Sequence, residues 1–347
     1  MNTKTIDLVN IGLMLISCIA AYFLPFELFL FSYAVLGPLH YLTEISWLHK
    51  RDYFATGKYD YLMFVPLGIV LTYLALFSGG EQATIWSTNL ILMCFVAALG
   101  MVLFQDWLHK LILLCAAMLI GYAVSRNHSV QLFFGMFLPT LIHVFIFTGL
   151  FIVFGALKNK SITGAASVLV FVLCGISFFV YHPVISWYHV SPYEQSNISR
   201  IRFDGLIATM IQLLHLDTLT RENFYQVIFH ATPGQSVMRF IAFAYTYHYL
   251  NWFSKTSVIK WHQVPRRWLV TVVVTWIASV ALYAYDYFLG LQFLFLLSML
   301  HVFMEFPLNY RSFIGIGTEL RGLMGYTPAV AVAAPQKAPT AKGKKKK

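Results

Sequence analysis

Two pairs of residues, each four apart, set the chemistry to consider. His40 and Glu44 close the stretch Gly37-Pro38-Leu39-His40-Tyr41-Leu42-Thr43-Glu44, and His301 and Glu305 bound His301-Val302-Phe303-Met304-Glu305. At positions i and i+4 an imidazole and a carboxylate lie one above the other on one helix face. Both pairs sit in strongly apolar segments, where ionisable groups are costly and by default mark a functional site. Other apolar segments carry His143, His248 with Asn251, and Asp106 with His109 just beyond it. Neutral imidazole and carboxylate together are ligands for iron, zinc and manganese. Ferritin-like bundles hold two irons with Glu and an i+3 His inside helices, and the i+4 spacing also faces one direction. The spacing nominates His40, Glu44, His143, His248, His301 and Glu305 as ligands of one or two metal ions. Iron is the first choice, with zinc and manganese as alternatives. Asp106 and Asn251 are nominated as partners that orient the ligand imidazoles.

The elements that must position these residues are membrane helices. The chain has 347 residues, 59% of them hydrophobic and only 11% charged, against about 25% charged in a soluble domain. A span needs about 20 apolar residues, and ten segments qualify: about 6–24, 26–48, 60–78, 84–105, 109–125, 130–157, 162–181, 235–254, 268–287 and 289–306. The expected fold is an all-α, polytopic transmembrane bundle of about ten spans. Lys and Arg sort its connections. One side holds Lys4, Lys50, Arg51, Lys58, Lys110, Lys158, Lys160, Lys255, Lys260, Arg266, Arg267, Arg311 and Arg321. The other holds Arg126, Arg200, Arg202, Arg221 and, at a helix start, Arg239. Both termini then lie inside, and the expected location is a bacterial inner membrane. On this topology the candidate ligands fall on even-numbered spans, most of them in the inner half.

Residues 1–310 form the expected membrane domain, with 182–234 as its long outer loop. Phe203 to Leu216 has apolar residues at helical spacing but is too short to span, which predicts a short amphipathic helix at the interface; a second short helix is expected within Asp217 to His230. Residues 311–347 are expected to be a cytoplasmic tail, Ala/Pro/Lys-rich and disordered from about 329. Net charge is +10, half of it from Lys342 and Lys344 to Lys347, which suits anionic lipid headgroups and implies no nucleic acid. Cys18, Cys94, Cys115 and Cys174 stand singly and read as small core residues. Leu15-Ile16-Ser17-Cys18 resembles a lipoprotein processing site, but the apolar residues after it favour an uncleaved first span.

Taken singly, each histidine fits a hydrogen-bonded core residue better than a ligand. Glu44 has Lys50 and Arg51 nearby, and Glu305 has Arg311, so both carboxylates could reach an interfacial cation. The joint pattern favours a metal site over a structural or proton-handling cluster. A second set, His128, His182, His189, His215 and His230, is irregularly spaced in outer segments, where ordinary loop histidines are expected rather than a copper or zinc site. Asn197-Ile198-Ser199 fits the glycosylation pattern. Nucleotide loops, serine elbows, the His-Glu-x-x-His helix of metalloproteases and the histidine boxes of membrane desaturases are all missing from the sequence.

The scattered His40, His143, His248 and His301, with the size and span count, give the chain a loose similarity to the Brp/Blh carotene-cleaving oxygenases. In that family histidines from several spans are thought to bind a non-haem iron that splits a carotenoid. The resemblance implies iron and an apolar substrate; the family's His-Gly pattern near the N-terminus is missing here, and the two His-x-x-x-Glu pairs are not part of it. The expected function is an integral membrane, non-haem iron oxidoreductase acting on a lipid or isoprenoid that enters sideways from the bilayer. The alternatives are a proton-coupled transporter and a structural or haem-holding subunit of a larger membrane complex.

Overall fold

A computed structural model describes residues 3–183, 185–255 and 265–325. The basic Lys260 and His262, the lysine tail and the stretch expected to be disordered from about 329 lie outside the described residues.

Every regular element among the described residues is helical. Apolar runs broken by Pro, Gly and Asp fix where helices start and stop. Helix α1 (Thr3–Phe23) ends before Pro25, which opens α2 (Pro25–His49) as its first residue, where a missing N–H costs nothing. Helix α3 (Asp60–Phe77) ends at Ser78-Gly79-Gly80, and Gly80 takes the φ of +86° that the turn into α4 (Gly80–Leu103) requires. Helices α5 (Trp107–Val124), α6 (His128–Asn159) and α7 (Ile162–Val180) follow. Asn127 caps α6 and Ser161 caps α7 through side-chain oxygens. The long connection holds three short helices, α8 (Pro192–Arg200), α9 (Phe203–Leu213) and α10 (Phe224–Phe229). The amphipathic helix expected over 203–216 is α9, and α10 lies within the stretch assigned to a second one. Helix α8 was not expected, although Ser191-Pro192-Tyr193-Glu194 spells a capping box that the structure forms. Helices α11 (Thr232–Ser254), α12 (Arg266–Tyr285) and α13 (Tyr287–Leu323) complete the chain.

Nine of these helices are long and apolar enough to cross a membrane, as in a multi-pass membrane protein. The one expected span missing from the nine is 235–254. Its helix, α11, is 23 residues long, with sixteen of them buried. It lies at the centre of the bundle and faces protein, so it carries Ser236, Arg239, Thr246, His248 and Asn251 instead of a lipid-compatible surface. The outer helices do the reverse: Ile16 and Ile19 of α1, Ile112 and Leu119 of α5, and Val274 and Ile277 of α12 are exposed. The last span was expected to stop near 306, with a tail from 311. Helix α13 instead runs on to Leu323 with Pro307 inside it, and Ser312 is still buried.

Contacts gather the connections at two ends of the bundle. Lys110 Nζ meets Asp60 Oδ2 at 2.6 Å, Trp268 Nε1 donates to Ser46 Oγ at 2.7 Å, and Ser161 and Thr163 bind the carboxylate of Asp7. All of these residues belong to the end rich in Lys and Arg. At the other end Arg200 pairs with Asp286 at 2.9 Å, Ser236 with His182 at 3.0 Å, and Tyr188 with Glu27 at 3.0 Å. Two hydrophobic cores result, one around α1, α7 and α11 and one around α3, α4 and the C-terminal part of α13. Helices α2, α6 and α13 contribute to both, and the candidate ligands lie where the two cores meet.

Candidate metal centre

Four helices carry the polar cluster, and three of them are locally irregular beside their ligands. Helix α2 makes a π-helical turn over Ser32–Leu36, followed by Pro38, two residues before His40. A Cβ on Gly37 would stand 3.2 Å from the hydroxyl of Tyr249, a tight contact, so the glycine eases the close approach of α2 to α11. Ser32 meets Thr246 at 2.8 Å, and Trp252 Nε1 donates to Thr43 Oγ1 at 3.0 Å, which fixes α2 against α11 on both sides of His40. Helix α6 winds in π fashion over Gln131–Phe147, with Pro139 inside. Its i→i+5 winding brings His143 and Thr148 onto a common side. Helix α13 has Pro307 two residues after Glu305. Such departures from α geometry concentrate at functional sites, because they re-aim side chains that a straight helix would point elsewhere.

The four imidazoles form a closed ring. Going round it, centroid distances are 4.6 Å for His40–His248, 4.8 Å for His248–His143, 5.0 Å for His143–His301 and 5.4 Å for His301–His40. The Nε2 atoms of His40 and His248 are 3.1 Å apart, and those of His143 and His301 are 3.2 Å apart. Glu44 Oε2 stands 2.9 Å from the same Nε2 of His40. Glu305 Oε2 lies 3.3 Å from Nδ1 of His143, on the opposite edge of that ring. None of the six residues is more than 6% exposed.

This cluster is not satisfied internally. His40 Nδ1, His143 Nδ1, His301 Nδ1, Glu44 Oε2 and Glu305 Oε2 are buried and lack a hydrogen bond of good geometry, although both carboxylate oxygens touch a histidine. A buried polar atom left without a partner costs about 1–3 kcal/mol. The two Nε2···Nε2 contacts sharpen the point. If Nδ1 carries the proton in both rings of a pair, two lone pairs face each other; for His40 and His248 the alternative is an Nε2–H of His248 donating to His40 while its Nδ1 accepts from the Thr148 hydroxyl, which leaves the buried Nδ1–H of His40 without an acceptor. A cation between the Nε2 atoms removes the first conflict. His40, His248 and His301 offer ligand atoms within 4.8 Å of one another, so the group could hold a metal ion. Among the described residues it is the one such group of three or more side chains.

The remaining nominations divide. Asn251 lines a pocket together with His40, Glu44, His248 and Glu305. Asp106 does not belong here. It precedes α5 at the surface and pairs with His109 at 2.8 Å, both side chains being more than half exposed. That ring holds its carboxyl below the usual carboxylate range. Proximity to a span end is not depth: the chain leaves the helix at Phe104, before Asp106. The group that does orient an imidazole is Thr148, whose Oγ1 lies 2.8 Å from Nδ1 of His248. The sequence reading missed it because α-helical spacing does not put Thr148 beside His143.

Two of the interfacial partners weighed for the glutamates, Arg311 and Arg51, are engaged elsewhere. Arg311 donates to the carbonyl of Phe54, and Arg51 stacks over Trp47. The cation that does line the pocket with Glu44 and Glu305 is Lys255. Of the outer histidines, His182 binds Ser236, and no metal-holding group forms among them within the described residues. Asn197 is 5% exposed inside α8 and donates to Tyr193 O, which leaves no room for a glycan. Cys18 is buried in α1 against Ser177.

Comparison with known protein families, with characterised proteins and with solved structures finds no match. The likeness to carotene-cleaving oxygenases therefore rests on the four histidines, the size and the span count alone.

Proposed function

We propose that the chain is an integral membrane, metal-dependent oxidoreductase that uses non-haem iron and molecular oxygen on a lipid or isoprenoid. The observation that carries this reading is the meeting of Glu44 Oε2 and His248 Nε2 on His40 Nε2 at 2.9 and 3.1 Å. Donor atoms this close would allow one ion to bind both at the about 2.1 Å of a metal–ligand bond. Two or more imidazoles and one carboxylate with positions left open are the ligand set of non-haem iron oxygenases.

In this reading His40, His248, His301 and Glu44 are ligands, and His143 completes the imidazole ring. Glu305 contacts the far nitrogen of His143, so it orients that ring and balances charge rather than binding metal directly. Thr148 does the same for His248. Bound iron would supply oxygen activation; the protein supplies a dry, fixed donor set and a mostly apolar approach. The basic end of the bundle faces the cytoplasm, following the Lys/Arg bias.

A transporter is favoured by one observation: the ring has cavities on both sides, one with His143 and His301 in its wall and one with His40 and His248. A haem-holding role is disfavoured, since imidazole pairs touching at 3.1 and 3.2 Å leave no plane between them for a macrocycle. The deciding test uses protein in nanodiscs, loaded anaerobically with Fe(II) and then given oxygen with fatty acyl or isoprenoid chains. Substrate-dependent oxygen uptake that His248→Ala abolishes is the expected result. Bound iron without uptake on any chain, together with pH-gradient-driven uptake of a solute into liposomes, would replace this reading by transport.

A further inference from the structure

The histidine ring forms the floor of a passage that opens at the end of the bundle away from the lysines. A cavity of about 220 Å³ has His143 and His301 in its wall. A second, of about 660 Å³, reaches Ser78, His128, Arg200 and Arg202 at the outer turns. The two share eight wall residues, among them Ala75, Ser87, Gly135 and Phe295, so they are one passage with a waist. Together they fall in the range of about 300–1,000 Å³ typical of ligand clefts. Phe288 at the mouth and His301 at the floor are thirteen residues apart on continuous α13, about 20 Å at α-helical rise. That is the length of a long acyl or isoprenyl chain.

The lining is graded. Near the ring it is mostly aromatic and aliphatic, with Tyr33, Tyr245 and Tyr249 on one side. The mouth carries two guanidiniums. Arg200 is already paired with Asp286 through two contacts at 2.9 and 3.3 Å. Arg202 is exposed, is held at φ +62° and makes no ion pair within the described residues. An apolar passage with a free cation at its rim matches a ligand with an apolar chain and an anionic end.

We propose that the substrate of the metal centre is a single-chain amphiphile with a carboxylate or phosphate end, which enters tail first from the outer end of the bundle. Its anionic end binds Arg202, and the far end of its chain lies against His143 and His301. This names the substrate class for the function proposed above and rests on that reading for its chemistry, but binding does not require the metal.

The test is photo-crosslinking in phosphatidylcholine nanodiscs, on metal-free and Fe(II)-loaded protein. Palmitic acid carries a diazirine either at its terminal carbon or beside the carboxylate. The terminal probe should label peptides of α6 and α13 around His143 and His301, and the other probe peptides around Arg202. Arg202→Gln should weaken labelling by the acid by about fivefold, the upper end for an exposed ion pair, and leave the palmityl alcohol analogue unchanged. Ser87→Phe at the waist should abolish terminal labelling near the ring while labelling at the mouth persists. Terminal labelling confined to lipid-facing side chains such as Ile176 and Phe293 would overturn the proposal, as would equal loss of acid and alcohol labelling in Arg202→Gln. Labelling as expected in a protein that never binds metal would overturn the enzyme reading alone.

Discussion

Replacing Thr148 by valine tests whether the imidazole ring is tuned from behind. The substitution keeps the shape of the side chain and removes one oxygen, the atom 2.8 Å from Nδ1 of His248. No cavity opens, so packing in α6 is held constant. With the hydroxyl gone, His248 can rotate or change tautomer, and its buried Nδ1 loses its partner. Removing a group that orients a metal-bound histidine lowers metal affinity by about 10- to 100-fold, or about 1.4–2.8 kcal/mol. The same range follows from a lost hydrogen bond that leaves a buried nitrogen unpaired, about 1–3 kcal/mol. The assay is competition for Fe(II) or Zn(II) with a chromophoric chelator, run on wild type, Thr148→Val and Thr148→Ser. Serine keeps the hydroxyl and should stay within about threefold of wild type, less than the smallest change a missing orienting group causes. Equal affinity in wild type and the valine variant would refute the orienting role. So would a loss in serine as large as in valine, which would point to packing.

Other perturbations separate the cluster from its surroundings. Glu305→Gln keeps the volume but removes the charge facing His143 Nδ1 at 3.3 Å; metal affinity should fall about 10- to 100-fold without loss of bound stoichiometry, as read by the same competition. Asp106→Asn breaks only the surface pair with His109, so metal content by elemental analysis should match wild type. Tyr22→Leu removes the ring 5.4 Å from the guanidinium of Arg239, which is 1% exposed. A desolvated cation–π contact is worth about 2 kcal/mol, so the thermal midpoint in detergent should fall, while metal content per folded chain stays the same.

Much of this architecture is legible in the sequence, because long apolar helices follow simple rules. Apolar runs ended by Pro25 or by Gly79-Gly80 become helices with those boundaries. Lysines and arginines mark one end of the bundle, and side-chain contacts gather those same connections. The six ligand candidates come together because their depth along alternate helices could be estimated by counting residues. Counting failed where depth was not the deciding quantity. Asp106 lies beyond the helix end at the surface, so its carboxylate turns to His109. Helix α11 is the least lipid-like of the long helices because it is surrounded by protein, and a hydropathy criterion excludes it for the same reason that it carries His248. Thr148 was hidden because α6 is wound with i→i+5 bonds, a conformation with no clear sequence signature beyond Pro139. The continuation of α13 to Leu323 was hidden by Pro307, which interrupts the pattern but not the helix.

The central claim is a resident metal ion, and its most direct test is elemental analysis of detergent-purified protein beside the His40→Ala/His301→Ala double variant, with folding of both checked by circular dichroism. The account predicts one or two iron per chain in wild type, as isolated or after anaerobic loading with Fe(II), and none in the folded double variant. A well-folded wild type that stays metal-free after exposure to Fe(II), Zn(II) and Mn(II) would contradict it, and the four imidazoles would then have to be explained as a proton path or a packing device.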